Sequence, residues 1–489
     1  MKLSELLNGV ALAGGVSVPE MEINGISTDT RTLRPGEVFF AQKGYKADGH
    51  RYLREAEEGG AAAIVCEELS EGNTFRCPVF RAEDTRIAAA FASANWFGHP
   101  GREMKLIGVT GTNGKTTTTC LIKTMLEGAL RGAKVGLIGT NRNLIGELEL
   151  PAARTTPDAY DLQALLRVMA DAGCTHVVME VSSHALALHR TAGLRFSAAV
   201  FTNLTQDHLD FHKTMEAYRE AKGRLFEQAE LAILNLDDEA GRYFKAHAAC
   251  PVFTYSENKD EADLTAKQIR LFPDFVEFEA VMRGGLSRIH LPIPGGFTIY
   301  NALAAICCGV ALGLKLPRIA ETLRTAGGVK GRIEVVPVPA AYTVLIDYAH
   351  TPNALENILM TAREFTAGQL ICLFGCGGDR DRSKRPIMGR IASALADVCI
   401  VTSDNPRTEP PEAIMADILE GMGKPDGERL ITEPDRRKAI RRGLSLAKAG
   451  DVLVLAGKGH ETYQEVRGVK YHLDEREEVE NYFRSRTKG

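Results

Sequence analysis

The stretch GVTGTNGKTTTT, residues 108–119, decides how the middle of this chain folds. It follows an apolar run and precedes a helical pattern, which is the strand–loop–helix context of a phosphate-binding loop. Small residues let backbone N–H groups approach phosphate oxygens, and the dipole at the start of the helix favours the same negative charge. In such a loop Lys115 reaches the outer phosphates and the Thr116 hydroxyl is a ligand for Mg²⁺. The stretch therefore predicts a nucleotide site.

One residue departs from the strict pattern GxxxxGK[ST]. The pattern has glycine at position 109, where this chain has Val109. Without a ligand, the same run is a glycine-rich turn between a strand and a helix. The strand before it and the helix after it favour the phosphate loop.

The residues around the loop alternate between apolar strands and helical patterns. The strands LIGVTG, KVGLIGT, HVVMEVS, AAVFTN and LAILNLDD each end in a polar or glycine-rich turn. After Thr116, four apolar residues share one helical face before Gly132 provides a stop: Leu121, Ile122, Met125 and Leu126. This alternation predicts a largely parallel sheet covered by helices. Residues 263–294 are instead predicted to be antiparallel, with FVEFEAVM as the clearest strand.

Two further blocks flank the centre. Residues 1–100 mix short strands and helices and end in a predicted linker at 96–105, which holds two glycines and a proline. From about residue 335, four more strands alternate with helices. We therefore predict an α/β protein of three domains, at 1–100, 101–334 and 335–489, with a central P-loop-type, mostly parallel sheet and a C-terminal Rossmann-like domain. Ligand sites are expected at the carboxyl ends of the strands.

Composition narrows the class of protein. The chain has 489 residues and a formal net charge of −4, which argues against non-specific nucleic-acid binding. Ten cysteines are scattered without a CxxC pair, which argues against a zinc ribbon and favours buried thiols in a reducing compartment. The N-terminus is a poor signal peptide and no apolar run is long enough to span a membrane, so we expect a cytoplasmic protein. The sequence shows no heptad pattern, so we expect a monomer.

Three residue types near the loop are candidates for metal chemistry. Glu180 ends the strand HVVMEVSSH, where a carboxylate is well placed to hold Mg²⁺ beside the phosphates. His208 and His212 follow the next strand, and spacing alone leaves open whether they are ligands or polar loop residues. Lys222 lies in the charged helical stretch YREAKGRLF, and its sequence context alone indicates a solvated lysine.

Taken together, these motifs resemble the muramyl-peptide ligases, the Mur ligase family. The resemblance covers nearly the whole chain and rests on motifs in the family's order: GTNGKTT, EVSSH, NL-x-x-DHLD-x-H, Asn301, GRIE, DYAHTP, FGCGGDRD, DNPR and GKGHE. It implies an ATP-dependent enzyme of cell-wall peptidoglycan synthesis. In that chemistry ATP converts a substrate carboxylate into an acyl-phosphate, which an incoming amine attacks to form an amide.

The resemblance assigns roles around the nucleotide. It implies that Lys115 is catalytic and that Mg²⁺ is held by Thr116, Glu180, His208 and a carbamylated Lys222. It implies that ATP is bound by the following residues: Gly111, Thr112, Asn113, Gly114, Lys115, Thr116, Thr117, Asn301, Arg332 and Asp347. Arg332 and Asp347 would reach the nucleotide as the third domain closes.

The resemblance also implies a site for UDP-N-acetylmuramoyl-L-Ala-D-Glu between the first two domains. Its residues match Thr28, Thr30, Tyr45, Lys46, Ala47, Arg154, Thr155, Thr156, Ser182, Leu188 and Arg190. Arg154 replaces a common asparagine, Leu188 replaces a common glutamine, and Tyr45 and Lys46 depart from the usual residues. These departures affect individual contacts rather than the class of substrate.

The motif DNPR, residues 404–407, discriminates between amino acids. On sequence context alone it is a turn with a surface arginine. In the family it lines the amino-acid pocket, together with residues that match Arg380, Asp404, Asn405, Pro406, Arg407, Gly457 and Glu461. Arginine can hold a carboxylate with two parallel hydrogen bonds, and meso-diaminopimelate has a second carboxylate that lysine lacks. The resemblance therefore implies a ligase that adds meso-diaminopimelate, and Glu461 could pair with the distal ammonium.

Three alternatives remain open at this point. A lysine-adding ligase of the same family would need a neutral or acidic residue in place of Arg407. A folylpolyglutamate ligase shares the phosphate loop but should lack DNPR and the long first domain. A non-catalytic nucleotide-binding protein would have no need to retain Glu180, His208 and Lys222 together.

Overall fold

The computed structural model describes residues 1–14, 17–44, 47–69, 74–423 and 429–487. The chain forms two compact units. The first unit contains Met1–Tyr255 and Cys307–Gly313, and the second contains Ser256–Ile306 and Leu314–Gly489. The division into three domains at residues 100 and 334 stays a prediction.

The first unit begins with a small parallel sheet. Its elements are α1 Leu3–Leu6, β1 Gly25–Ser27, β2 Glu37–Phe40, α2 Leu53–Glu58, β3 Ala63–Cys66, β4 Val79–Arg81 and α3 Thr85–Trp96. The four strands lie in the order β1-β2-β3-β4, all parallel. Side chains alternate between the two faces, so Val38 and Phe40 pack towards the alanines of α3 while Phe39 packs towards α2. The predicted linker at 96–105 contains a short 3₁₀ helix at Pro100–Arg102.

A larger sheet follows in the same unit. Its elements are β5 Lys105–Thr110, α4 Lys115–Ala129, β6 Val135–Ile138, β7 Asn143–Ile145, β8 Leu148–Leu150, α5 Ala159–Asp171, β9 His176–Glu180, α6 Ser183–Ala187, β10 Ala198–Phe201, α7 Leu209–His212, α8 Met215–Glu227, β11 Ala232–Asn235, α9 Glu239–His247 and β12 Val252–Ser256. The strands β12-β11-β10-β5-β9-β6 are parallel neighbours, and β7 and β8 add an antiparallel edge. This arrangement confirms the predicted mostly parallel sheet.

Strand order brings the predicted nucleotide residues together. Because β5 lies between β9 and β10, the turns that leave these three strands meet at one edge of the sheet. The predicted helix after Thr116 is also confirmed, since α4 buries Leu121, Ile122, Met125 and Leu126. The burial of this face fixes the start of α4 against the sheet.

The second unit combines an antiparallel sheet with another α/β sheet. Its elements are β13 Leu264–Leu271, β14 Val276–Met282, β15 Gly285–Leu291, α10 Phe297–Ala311, α11 Leu316–Leu323, β16 Glu334–Val336, β17 Thr343–Asp347, α12 Pro352–Arg363, β18 Leu370–Phe374, α13 Lys384–Leu395, β19 Val398–Thr402, α14 Pro411–Leu419, β20 Leu430–Glu433, α15 Arg436–Leu446, β21 Val452–Ala456, β22 Tyr463–Val466, β23 Val469–His472 and α16 Glu475–Thr487. The strands β13, β14 and β15 are antiparallel, as predicted.

The second α/β sheet has the order β16-β17-β21-β18-β19-β20, parallel except for β16. With the sheets of the first unit, it confirms the predicted α/β class. The β22–β23 hairpin was not predicted from the sequence.

The ten cysteines are free, and most are buried. Among the described residues, no helix has both the length and the apolar character needed to cross a membrane.

A buried ion pair braces the carboxyl edge of this sheet. Arg436 and Glu475 are the first residues of α15 and α16, and their side chains are fully buried 2.7 Å apart. The same guanidinium donates to Ser403 O at 3.2 Å and Ala456 O at 2.9 Å. These carbonyls immediately precede the loops that carry Asp404 and Gly457. Arg436 thus fixes two loops and two helices to one another.

We expect Arg436→Met to lower the free energy of unfolding by about 3–5 kcal/mol, because it leaves the Glu475 carboxylate buried without its cation. Urea unfolding measures this change. The double variant R436M/E475Q should recover part of the loss, and Arg441→Met, an exposed arginine of the same helix, should cost at most ~0.5 kcal/mol. A single variant as stable as the parent chain would show that the pair does not act as a brace.

Candidate functional site

The phosphate loop is built around two glycines. Gly111 has a φ of 151°, and a Cβ there would overlap the Thr202 hydroxyl at the end of β10. Gly114 has a φ of 82° and caps α4, whose first residues are Lys115, Thr116 and Thr117. Only glycine tolerates both the close approach and the left-handed backbone. The loop therefore presents the start of α4 to an incoming anion.

Neighbouring strand ends hold the loop in place. Thr112 N donates to Asn203 O at 2.8 Å, and Asn113 N donates to Asn203 Oδ1 at 2.9 Å. Thr202 Oγ1 donates to Asn113 O at 2.7 Å. The loop is thus shaped before any ligand arrives, which reduces the ordering that binding requires.

Two lysines converge on the carbonyl oxygen of Gly111. Lys115 Nζ donates to it at 3.0 Å and to Thr112 O at 2.9 Å, while Lys222 Nζ donates to it at 2.8 Å. Lys222 is 1% exposed, so its interpretation from sequence context as a solvated lysine was wrong. Burial, assisted by the charge of Lys115, holds the pKa of Lys222 well below its usual value. Burial therefore favours the neutral amine over the ammonium.

Aromatic side chains surround Lys222. Its Nζ lies 4.5 Å from the centroid of the Tyr218 ring, and the His208 ring lies 6.1 Å from the same ring. His208 is half-exposed and has a φ of 53°. His212 is buried, and its Nε2 lies 2.9 Å from Ser183 Oγ. Burial lowers the pKa of His212 to about 4, so this ring is neutral at neutral pH.

Glu180 lies beside the loop, as the sequence predicted. It ends β9 and pairs with Val109 of β5, and its carboxylate is 1% exposed. One carboxylate oxygen accepts from Thr140 N at 2.8 Å and the other from Thr140 Oγ1 at 3.0 Å. Among the described residues, no group of three or more His, Cys, Asp or Glu side chains could hold a metal by itself. The buried carboxylate and the Thr116 hydroxyl nevertheless fit Mg²⁺, which prefers hard oxygen ligands and keeps several waters.

The remaining predicted ATP residues belong to the second unit. Asn301 is buried in α10. Asp347 ends β17, accepts from Ile333 N at 2.8 Å, and has a pKa that burial raises to about 6 although Arg332 opposes the shift. The Arg332 guanidinium lies 5.3 Å from the Tyr348 ring. Arg332 and Asp347 thus share one corner of this unit.

A cavity in the first unit is lined by most of the residues predicted to bind the sugar nucleotide. Its volume is about 820 Å³. It is lined by Thr28, Thr30, Ala47, Arg154, Leu188 and Arg190, as predicted. Tyr45 and Lys46 lie outside the described residues. The sequence missed Arg86, Asp158 and Tyr160, which line the same cavity, although Asp158 lies only two residues after the predicted Thr155–Thr156 pair.

Hydrogen bonds tie this cavity to Glu180. The Thr156 hydroxyl donates to Glu180 O at 2.8 Å and accepts from Ser182 N at 3.1 Å. Thr155 Oγ1 lies 3.0 Å from Thr140 Oγ1, the hydroxyl that donates to the Glu180 carboxylate. Arg190 donates to Thr156 O at 2.9 Å. The predicted peptide contacts and the predicted metal carboxylate therefore form one network.

The predicted amino-acid residues meet at the carboxyl edge of the second α/β sheet. Asp404 and Asn405 follow β19, and Gly457 and Glu461 follow β21, on either side of β18. Asn405 Nδ2 donates to Glu461 Oε2 at 2.9 Å. Asp404 is buried, and a Cβ on Gly457 would stand 3.4 Å from its carboxylate. These residues form one acidic cluster.

Arg407 lies at the edge of this cluster. Its Nη1 donates to Gly378 O at 2.7 Å, and its Nε lies 3.3 Å from Glu465 Oε2. A Cβ on Gly377 would stand 3.0 Å from Arg407 Nη1 and 3.7 Å from the Arg380 side chain, so both arginines flank Gly377. Gly378 must also be glycine, because a Cβ there would overlap the carbonyl of Pro406.

The β22–β23 hairpin holds the backbone of Arg407 on both sides. Arg407 N donates to Glu465 O at 3.1 Å, and Arg467 N donates to Arg407 O at 2.7 Å. These bonds support a left-handed backbone at Arg407, whose φ is 52°. The sequence missed Glu465 because its role depends on this hairpin. It also missed Lys458, although this residue stands inside the GKGHE motif between two predicted site residues.

Comparison with known proteins agrees with this arrangement. Three family models match the chain: "Mur ligase family, catalytic domain" over residues 22–91, "Mur ligase middle domain" over 109–309, and "Mur ligase, glutamate ligase domain" over 331–459. A UDP-N-acetylmuramoyl-L-alanyl-D-glutamate–2,6-diaminopimelate ligase of Clostridium botulinum is 46% identical over 463 residues, which are 94% of this chain and 95% of that protein.

Two further similarities extend over the chain. A ligase of the same name from Gloeobacter violaceus is 46% identical over 483 residues, which are 98% of this chain and 97% of that protein. A solved structure of a ligase of this name superposes with a TM-score of 0.77 at 32% identity, covering 100% of this chain and 99% of that one. This chain therefore belongs to the Mur ligase family.

Proposed function

We propose that this protein is an ATP-dependent ligase that joins meso-2,6-diaminopimelate to UDP-N-acetylmuramoyl-L-Ala-D-Glu in peptidoglycan precursor synthesis. Relatives that carry the name of this activity match the chain almost end to end. One observation supports the choice of amino acid: Arg407, with Arg380 nearby, stands beside the acidic cluster of Asp404 and Glu461. That pairing of charges matches an amino acid whose distal end carries both a carboxylate and an ammonium.

The first step activates a carboxylate. The substrate carboxylate oxygen attacks the γ-phosphorus of ATP, ADP leaves, and an acyl-phosphate forms. Negative charge builds on the transferred phosphoryl group, and the Lys115 ammonium, with the N–H groups at the start of α4, stabilises it. The buried loop geometry around Gly111 holds these donors in place before the reaction.

The second step forms the amide. The unprotonated amine of the amino acid attacks the acyl carbon, its N–H proton is lost, and phosphate leaves. A carboxylate resists such attack until its oxygen becomes part of a good leaving group, so the order of the steps is fixed by chemistry. Holding amine and acyl-phosphate together supplies much of the rate.

The burial of Lys222 supports a role for this residue in holding the metal. Burial favours its neutral amine, which is the form that adds CO₂, releasing a proton and leaving a carbamate. We propose that Thr116, Glu180, His208 and this carbamate hold Mg²⁺, which when bound screens the charge on the transferred phosphoryl group. Asn301, Arg332 and Asp347 are proposed to bind ATP as well.

The cavity of about 820 Å³ is the proposed site of the sugar nucleotide. Arg86, Arg154 and Arg190 supply positive charge for a diphosphate, and Thr28 and Thr30 supply hydroxyl groups. The Thr156–Glu180 network supports a substrate whose peptide end points from this cavity towards the phosphate loop. A monomer in the cytoplasm remains the expected form of the protein.

We expect phosphate release from ATP to require both the sugar nucleotide and meso-diaminopimelate, with L-lysine a poor replacement. Arg407→Met should reduce kcat/KM for meso-diaminopimelate by roughly 100-fold or more, because it removes the cation that pairs with the distal carboxylate. Its kcat/KM for L-lysine should change little. A phosphate-release assay measures each value.

The matched control for this experiment is Arg442→Met, an exposed arginine of α15. This substitution should leave kcat/KM for both amino acids unchanged. Preference for L-lysine by the parent enzyme would overturn the choice of amino acid but keep the ligase chemistry. Absence of turnover with either amino acid would overturn the ligase itself.

We expect Lys222→Met to reduce kcat by about 100-fold or more while preserving the fold, because methionine fills the buried space without the charge that burial disfavours. Lys245→Met, on an exposed face of α9, is the control. In the parent enzyme, removing dissolved CO₂ or chelating Mg²⁺ should lower activity, and bicarbonate or Mg²⁺ should restore it. Full activity of Lys222→Met would refute a metal-holding carbamate.

A further inference from the structure

Lys458 is a fully buried lysine inside the proposed amino-acid site. Its Nζ lies 3.2 Å from Asp404 Oδ1, 2.9 Å from Asn405 Oδ1 and 3.2 Å from Glu461 Oε2. The Lys458 side chain is 0% exposed, while Asp404 and Glu461 are 8% and 15% exposed. No step of the proposed reaction uses this residue. Burying an ammonium is unfavourable unless its partners compensate, and here three acceptors do.

The charges of this cluster do not cancel. Two carboxylates face one ammonium, so the cluster carries one net negative charge at neutral pH. Such a cluster attracts one further cation, and the ammonium group of an amino acid supplies it. Without Lys458 the two carboxylates would repel each other, and one would take up a proton to relieve the repulsion.

Lys458 also fixes which way the Asn405 amide points. Asn405 Oδ1 accepts from Lys458 Nζ and from Glu465 N, both at 2.9 Å. The amide oxygen is therefore committed, and Nδ2 turns to donate to Glu461 Oε2. The position of the Glu461 carboxylate thus depends on Lys458 both directly and through Asn405.

We propose that Lys458 is a positioning residue that sets the charge and the geometry of the amino-acid site, holding Asp404, Asn405 and Glu461 ready for the substrate ammonium. The proposal rests on the proposed function, because it takes this cluster as the place where the amino acid binds. Lys458 acts through its three partners rather than by contact with the substrate.

The environment of Asp404 supports this role. Burial alone raises the pKa of Asp404, but Lys458 and Arg436 outweigh it and hold the pKa below its usual range, with His350 adding to their effect. Glu461 faces Tyr348 and His460 as well as Lys458. When Lys458 is removed, Arg436 remains as a cation near Asp404, whereas Glu461 loses the one ion-pair partner that it has among the described residues.

The test is Lys458→Met, which keeps the length and apolar stem but removes the charge. We expect KM for meso-diaminopimelate to rise by about 10- to 100-fold at neutral pH, with KM for ATP and for the sugar nucleotide within about 2-fold of the parent values. KM for the amino acid should fall again as pH rises, because ionisation of the carboxylate that took up the proton restores the attraction for an ammonium. The parent enzyme should lack this pH dependence.

Two further variants complete the experiment. Lys438→Met, at an exposed lysine of α15, should behave like the parent enzyme. K458M/E461Q removes the extra carboxylate and restores the buried net charge, so it should melt at a higher temperature than K458M and lose the pH dependence while keeping a high KM. If K458M does not fold, recovery of folding in the double variant supports the proposal.

A K458M enzyme with a KM for meso-diaminopimelate within about 2-fold of the parent value at every pH would overturn the proposal, as would a double variant no more stable than K458M. These outcomes are separate from failure of the proposed function. That failure would appear in the parent enzyme, as absence of turnover dependent on meso-diaminopimelate. The melting temperatures of K458M and K458M/E461Q would then still decide whether Lys458 balances the buried carboxylates.

Discussion

The close approach of Gly111 to the end of β10 is the constraint on which the nucleotide site depends. Because Gly111 has no side chain, its backbone lies against Thr202, and its carbonyl oxygen is left pointing at two lysines. One of them, Lys115, starts α4, and the other, Lys222, comes from the middle of α8. The loop and two helices are thus tied to one backbone atom.

The two units use buried cations in opposite ways. Lys222 has a carbonyl and an aromatic ring as neighbours, and burial favours its neutral form. Lys458 and Arg436 have carboxylates as neighbours, so burial is compensated and the charges persist. The first arrangement favours an amine that reacts, whereas the second favours a rigid frame. Each is suited to the chemistry proposed for its unit.

The fold could be predicted largely from the sequence, because alternating apolar strands and amphipathic helices specify α/β layers locally. The strand ends that carry Glu180 and Asp404 could be predicted for the same reason. The burial of Lys222 could not, since α8 is rich in charged residues and only its packing on the loop shows which one points inward. Lys458 was missed because two of its three partners, Asp404 and Asn405, follow a different strand. The local sequence does not show that β19 and β21 flank β18 in the sheet.

The hairpin that supports Arg407 also affects the amino-acid selectivity proposed for this residue. A two-stranded hairpin has little stability of its own and opens locally more readily than the sheet beside it. Since both backbone bonds of Arg407 go to this hairpin, the orientation of the arginine is coupled to its local opening equilibrium. Selectivity is then partly a thermodynamic property of Tyr463–His472. Substitutions in that short segment can retune it while the phosphate loop and the core of either sheet stay unchanged.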